Sequence, residues 1–212
     1  MQPSLLPEKY SLSLRIWHWV TFLIVTVLII TVLINDTVLD EDAAPAVIMQ
    51  AAAKKAATLS KDQSAAILEP LRETVWEWHT WLGYALGVLF LYRIGLEFFQ
   101  SKEERFAFKL KKGMASAKNS TNKKSARHYL LVKIIYALFY ILLTGIVITG
   151  LWLAFYKEDS SVAKETFNDI KELHENCYNI LLVFLFLHLG GVIRAELGKD
   201  KHIISRMING GE

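Results

Sequence analysis

Four long apolar runs constrain this chain more than any other feature of its sequence. Residues 16–34 form nineteen residues without a charge, and residues 134–156 form twenty-three. Residues 75–99 and 177–193 are also mainly apolar, although they contain a few polar side chains. A helix needs about 20 apolar residues to cross a bilayer, where its backbone polar groups must bond within the segment. The pattern therefore predicts an all-α integral membrane four-helix bundle.

We expect a single transmembrane domain over residues 1–212. The predicted spans cover residues of about 15–35, 75–99, 129–156 and 173–196. The first two are joined by an outer loop at 36–74, and the second and third by a basic inner loop at 100–127. The first run is longer than the apolar region of a signal peptide, about 7–15 residues, which favours a retained span. Pro70 is expected to break the helix-favouring outer loop into one or two short surface helices.

Charge is distributed unevenly between the loops. Residues 100–127 contain nine Lys or Arg and two acidic residues. Residues 35–74 contain seven acidic and four basic residues, and residues 157–172 contain five and three. Lys and Arg accumulate on the cytoplasmic side of membrane proteins. The distribution predicts a multi-pass membrane protein with both termini in the cytoplasm, in contact with lipid, and it gives no indication of nucleic-acid binding.

Four histidines lie in or at the ends of the predicted spans. His174 and His188 are fourteen residues apart on one helix, which places them within about 40° of the same face and about 21 Å apart along the axis. His18 lies about one turn inside the cytoplasmic end of the first span, and His79 about one turn inside the outer end of the second. By depth they form two pairs, His18 with His188 and His79 with His174.

Paired imidazoles between helices are typical of the axial ligands of a low-spin haem iron. Such a pair leaves no open position for oxygen, so electron transfer is the expected use. Histidine inside a span is costly and usually functional, although a single one could hydrogen-bond a neighbouring helix. A zinc site would need four ligands at one depth. The one cysteine, Cys177, excludes both an intrachain disulfide and a Cys-x-x-Cys-His attachment motif.

Other residues are candidates for the surroundings of a haem. Arg93 follows His79 by fourteen residues, and Arg15 precedes His18 by about one turn, so either could pair with a propionate. The alternative for both is anchoring at the membrane surface. Gly83 follows His79 by four residues and thins that helix face where a porphyrin could lie. Gly145, Gly150, Gly190 and Gly191 could do the same, or could let helices approach closely.

Several short motifs, in this order and spacing, resemble the bacterial cytochrome b561 and nickel-hydrogenase cytochrome b family. They are Arg15-Ile-Trp-His-Trp19, Trp76-Glu-Trp-His-Thr-Trp-Leu-Gly-Tyr84, Leu173-His-Glu175, Leu187-His188 and Ile203-Ile-Ser-Arg-Met-Ile-Asn-Gly210. The resemblance extends over essentially the whole chain. It implies two haem b groups (protohaem IX) held by His18, His79, His174 and His188, a location in the bacterial cytoplasmic (inner) membrane, and exchange of electrons with the quinone pool. The long outer loop departs from the shortest members, so no quinone residue is transferred.

Three functions follow as hypotheses. The first is electron transfer between a quinone and a redox partner, such as a periplasmic dehydrogenase, a hydrogenase or a c-type cytochrome. The second is a self-sufficient superoxide:quinone oxidoreductase, which would need a positive outer face to attract an anion. The outer loops are net acidic, although Lys54, Lys55 and Lys61 could form a local basic patch. The third is a non-redox metal-binding or scaffold protein, which would bind no chromophore.

Overall fold

The computed structural model describes residues 10–99, 102, 105–119, 123–156, 161–198 and 202–210. Parts of the charged segments behind the predicted orientation, including residues 157–160 and 199–201, lie outside the described residues. The described part of the chain is almost entirely helical and contains no strand. Its helices are α1 (Leu12–Leu33), α2 (Ala43–Ala53), α3 (Lys61–Phe99), α4 (Phe106–Asn119), α5 (Lys123–Phe155), α6 (Ser161–Leu197) and α7 (Ile203–Asn209).

Four of the helical segments in this described part are long and apolar enough to cross a membrane. They are Leu12–Val38, Lys61–Phe99, Ala126–Phe155 and Lys164–Leu197. The first includes a short π-helical turn, Ile34–Val38, that continues α1. The predicted all-α membrane fold is confirmed, whereas the limits of the bilayer along each helix and the cytoplasmic location of the termini stay predictions.

The helices divide into two compact units. Val20–Gly87 form one unit, called here the loop unit because it contains the long loop between the first two spans. The described residues before Val20 and after Gly87 form the other, called the main unit. The division falls within α1 and within α3, so each of these two helices contributes one part to each unit.

The loop unit shows that the prediction for Pro70 was wrong. Pro70 lies inside α3, which continues without interruption from Lys61 to Phe99. A proline inside a helix costs about 3 kcal/mol, so packing on both sides of it must hold the helix together. Leu68 and Val75 are both buried in a small core with Leu39 of the preceding segment. Arg72 Nε also donates to the Leu39 carbonyl at 2.7 Å.

In the main unit, α4 lies within the basic inner loop, where the sequence analysis predicted no helix. Its less exposed positions, Phe106, Leu110, Gly113 and Ala117, recur at the spacing of one helix face. Gly113 leaves room for the ring of Tyr129, which would lie 3.3 Å from an added Cβ atom. Contact with α5 therefore orders a segment whose polar composition suggests a loop.

Asp40 stabilises the start of α2 through its carboxylate. The backbone N–H groups of Ala43 and Asp42 donate to Asp40 Oδ1 at 2.7 and 3.0 Å. These hydrogen bonds favour the charged carboxylate, so they lower the pKa of Asp40 below its ordinary value of 3.8. Because the pKa is lowered in the folded state, the stabilisation is present above pH about 4 and is lost as the pH falls through the lowered value.

We expect Asp40→Ala to increase the exchange rate of the amide hydrogens of Asp42 and Ala43 at neutral pH. Hydrogen–deuterium exchange with mass spectrometry measures this protection, which the wild type should lose only in strongly acidic buffer. Glu41→Ala is the control, because Glu41 accepts neither amide proton. Equal exchange in the two variants would show that the Asp40 carboxylate does not cap α2.

Candidate functional site

Two of the four predicted histidines lie together in the main unit. The ring centroids of His18 on α1 and His188 on α6 are 6.4 Å apart, and the ring planes are inclined by 55°. Both side chains lie in apolar helices long enough to span a membrane. The Nδ1 atom of His18 is buried and has no hydrogen-bond partner among the described residues. The two rings are therefore neighbours, and Nδ1 of His18 forms no hydrogen bond to His188.

Two tryptophans hold the α1 backbone on either side of His18. The Trp17 indole N–H donates to the Leu89 carbonyl of α3 at 3.0 Å, and the Trp19 indole N–H donates to the Met207 carbonyl of α7 at 3.0 Å. Trp19 also contacts His18 edge to face at 5.3 Å. Trp17 is only 6% exposed, so it is an interior side chain and not the interfacial aromatic that its position near a span end suggests.

His188 is supported by a column of aromatic rings. The Phe184 ring is stacked on His188, with centroids 5.9 Å apart and planes inclined by 9°. Phe139 of α5 is also stacked with Phe184, with ring centroids 5.0 Å apart. Because Phe184 lies one turn before His188 on α6, its ring limits the orientations open to the imidazole.

The spacing of His18 and His188 fits an iron between them. An imidazole nitrogen binds a metal at about 2 Å, and a ring nitrogen lies about 1.1 Å from its ring centroid. Two collinear imidazole ligands therefore have centroids about 6.2 Å apart, which is close to the observed 6.4 Å. The apolar helices that carry both side chains are also suitable for this use.

His79 lies on α3 within the loop unit, where a threonine and a tryptophan contact its ring. The Nδ1 atom of His79 is 2.8 Å from the hydroxyl oxygen of Thr31 on α1. Thr31 is only 2% exposed. The Trp76 ring contacts His79 edge to face at 5.4 Å. The residue that orients His79 therefore comes from a different helix of the same unit.

His174 lies on α6 within the main unit and has closely similar surroundings. Its Nδ1 atom is 2.8 Å from the hydroxyl oxygen of Thr149 on α5, which is 6% exposed. Gly150 makes room for the ring, since a Cβ atom there would lie 3.1 Å from His174 Cε1. Gly145 has the same function for Cys177, whose sulfur would lie 3.3 Å from an added Cβ. These two glycines permit the close approach of α5 and α6.

Arg93 already has partners within the protein. Its Nε donates to the Tyr140 hydroxyl at 2.9 Å, and its Nη1 lies 3.3 Å from a carboxylate oxygen of Glu97. The guanidinium also lies over the rings of Trp17 and Tyr140 at 5.8 and 5.4 Å. The side chain is 8% exposed, so the alternative of snorkelling to the membrane surface does not describe it.

Arg15 joins the start of α1 to α7. Its Nη1 donates to the Ile208 carbonyl at 2.6 Å, and its Nε is buried without a hydrogen-bond partner among the described residues. Gly210 has φ of +87°, which only glycine adopts easily, and an added Cβ would lie 3.1 Å from the Arg15 guanidinium carbon. Arg15 therefore has a structural role. The tail motif Ile203–Gly210 contacts the start of α1 through this side chain.

The remaining predicted glycines face open space. A Cβ atom added at Gly83, Gly190 or Gly191 would have no described atom within 4 Å outside its own helix. Packing of protein atoms therefore does not explain why these positions are glycine. Glu175, which follows His174, is exposed and pairs with Lys171 at 3.7 Å on the same helix face. It has the contacts of a solvated side chain.

Sequence reasoning missed three buried polar residues of these helices. Thr31 and Thr149 contact histidines, but threonine is common in apolar helices and gives no signal of its own. Lys133 is 6% exposed on α5, with its Nζ about equally far from the rings of Tyr129 and Tyr136, at 5.1 and 5.0 Å. The spacing of Tyr129, Lys133 and Tyr136 on one helix face could have indicated this arrangement.

The fold and the histidine positions define a class of membrane protein that carries imidazole rings inside apolar, span-length helices. A family model for prokaryotic cytochrome b561 matches residues 9–210, which is nearly the whole chain. The chain belongs to the prokaryotic cytochrome b561 family. It is thus a membrane b-type cytochrome of electron transfer, and members of the family bind haem b. Neither a curated protein nor a solved structure matches the chain.

We expect Gly150→Ala to reduce the haem content of the purified protein, because the new methyl group would displace the His174 ring. The ratio of haem absorbance to protein measures this effect. Gly95→Ala is the control, since an added Cβ at Gly95 has no described atom within 4 Å. An unchanged ratio in Gly150→Ala would mean that His174 can move away without loss of haem.

Proposed function

We propose that this protein is a di-haem cytochrome that transfers electrons across the membrane between the quinone pool and a redox partner. In this proposal His18 and His188 are the axial ligands of one haem, and His79 and His174 are those of the other. The separation of the His18 and His188 rings carries the proposal, because it fits a single metal ion between two imidazoles. The second pair rests on the depths of His79 and His174 along their helices.

Two imidazole ligands favour electron transfer over chemistry on a bound substrate. Haem held in this way supplies one-electron oxidation and reduction, with both axial positions closed to oxygen. The protein itself contributes by holding the two histidine rings in position. Trp17 and Trp19 fix the backbone that carries His18, and Phe184 restricts His188. Rigidly held ligands would reduce the structural change that accompanies each change in the charge of the haem iron.

The proposal also includes Arg93 and Arg15 as partners of haem propionates. Arg93 has donors left after its contacts with Tyr140 and Glu97, because a guanidinium carries five N–H groups. Arg15 has a buried Nε without a partner among the described residues. Both side chains lie in the main unit, which also contains His18 and His188.

The alternative of a superoxide:quinone oxidoreductase has less support. It requires a basic patch on the outer loop, for which Lys54, Lys55 and Lys61 were the candidates. Lys61 forms an ion pair with Asp42 at 3.0 Å, which reduces its attraction for an anion. The non-redox alternative, a metal-binding or scaffold protein, would need a metal site without haem only in its metal-binding form. In the part of the chain that the structure describes, no three His, Cys, Asp or Glu residues are grouped to hold a metal.

Single ligand variants test the assignment of the histidines. We expect His18→Ala and His79→Ala each to lose about one of two haems, because a haem with one remaining ligand is held weakly. Haem per chain and the redox titration of the remaining haem give the result. His128→Ala is the control, since His128 is exposed on α5. Full haem content in His18→Ala would exclude His18 as a ligand.

Gly83→Leu tests whether a porphyrin lies against α3 near His79. A leucine at Gly83 meets no protein atom close to the added Cβ, so the side chain should be tolerated unless haem occupies that space. We expect a loss of haem in Gly83→Leu and none in Gly95→Leu, where the surroundings are equally open. Equal haem content in the two variants would remove Gly83 from the site.

The role is tested in proteoliposomes that contain the purified cytochrome. We expect a quinol to reduce the haem, or a quinone to reoxidise it, within the time of stopped-flow mixing. Superoxide from an enzymatic source should have little effect. Rapid reduction by superoxide that is slowed by Lys54→Gln and Lys55→Gln would contradict the proposal and favour the self-sufficient oxidoreductase.

A further inference from the structure

The same threonine–histidine contact occurs once in each unit. Thr31 approaches His79 in the loop unit and Thr149 approaches His174 in the main unit, in both cases with 2.8 Å between the hydroxyl oxygen and Nδ1. We propose that Thr31 and Thr149 are positioning residues that fix the tautomer and the orientation of these two histidines. The inference rests on the proposed function, in which both histidines are ligands of the same haem, called here the outer haem.

The distances around each threonine hydroxyl identify the donor in its contact with the histidine. Thr31 Oγ1 lies 2.7 Å from the Leu28 carbonyl oxygen, and Thr149 Oγ1 lies 2.6 Å from the Gly145 carbonyl oxygen. Two oxygen atoms approach so closely only with a proton between them, and a carbonyl has none to give. Each threonine therefore donates its single proton to its own helix. The hydroxyl oxygen can then only accept from the histidine.

This assignment places a proton on Nδ1 of His79 and on Nδ1 of His174. In a neutral imidazole the other nitrogen, Nε2, then carries the lone pair that a metal binds. The hydrogen bond also fixes the rotation of the ring about its side chain and increases the basicity of Nε2. Both effects prepare the side chain for ligation before any metal is bound.

Other threonines of the same helices show that this contact is not a general result of threonine in an apolar helix. Thr26 on α1 and Thr144 on α5 donate to the carbonyls of Phe22 and Tyr140 at 2.8 and 2.7 Å. Neither contacts a histidine. In the main unit, the buried Nδ1 of His18 has no hydrogen-bond partner among the described residues, so His18 lacks this support.

The test replaces each hydroxyl by a methyl group of the same shape and measures the midpoint potential of each haem in the full-length protein. Thr31→Val and Thr149→Val remove the acceptor, which lowers the basicity of Nε2 and stabilises ferric iron less. We expect a shift of about tenfold in the ferric–ferrous equilibrium toward ferrous, or about +59 mV for a one-electron couple. The potential of the His18–His188 haem should not change.

Controls separate the hydroxyl from general effects of mutation. Thr31→Ser and Thr149→Ser keep the acceptor and should have the wild-type potential. Thr26→Val and Thr144→Val lose a hydroxyl that contacts no histidine and should also have it. Electron paramagnetic resonance provides a second readout, because only the low-spin ferric signal of the haem held by His79 and His174 should change in the valine variants.

Each outcome bears on the inference. Loss of the outer haem in Thr31→Val, with recovery in Thr31→Ser, would support it as strongly as a shift. Unchanged potentials and spectra in both valine variants would overturn it, as would equal shifts in the serine variants or in the Thr26 and Thr144 controls. Failure of the proposed function is recognised separately, because His79→Ala would then retain the haem content of the wild type.

Discussion

The requirement to place imidazole rings inside bilayer-length helices determines most of what this chain must do. A polar ring among apolar helices is costly unless its nitrogen atoms have partners, either hydrogen bonds or a metal. The protein supplies one partner to each of two rings through Thr31 and Thr149. The rings of His18 and His188 instead face each other at the separation that a shared iron requires. In the proposed function, haem would supply the partner that these two rings lack within the protein.

The helices are arranged to serve these rings. α6 carries both His174 and His188, so one helix presents two imidazole rings about 21 Å apart along its axis. α5 fits closely against α6 because Gly150 leaves space for the His174 ring. At the start of α1, Trp17 and Trp19 donate to carbonyls of α3 and α7, so the short tail helix contributes to the position of His18.

Sequence patterns were sufficient for the spans and for the family, because apolar length and the order of histidine motifs depend on local residues alone. They were insufficient where contacts between distant segments decide the structure. Pro70 stays inside α3 because Leu68 and Val75 pack on Leu39. Likewise, α4 forms because Gly113 packs on Tyr129. The contacts of Thr31, Thr149 and Lys133 could be recognised only from the side chains that lie beside them in the structure.

The most direct test of the account is the optical spectrum of the detergent-solubilised protein, oxidised and dithionite-reduced, with haem quantified as the pyridine haemochrome. The account predicts a reduced b-type spectrum and two haems per chain. One haem per chain would contradict one of the two histidine pairs, and the pair defined by His18 and His188 would then be expected to hold it. A folded protein without any haem would contradict the central claim that these histidines are ligands.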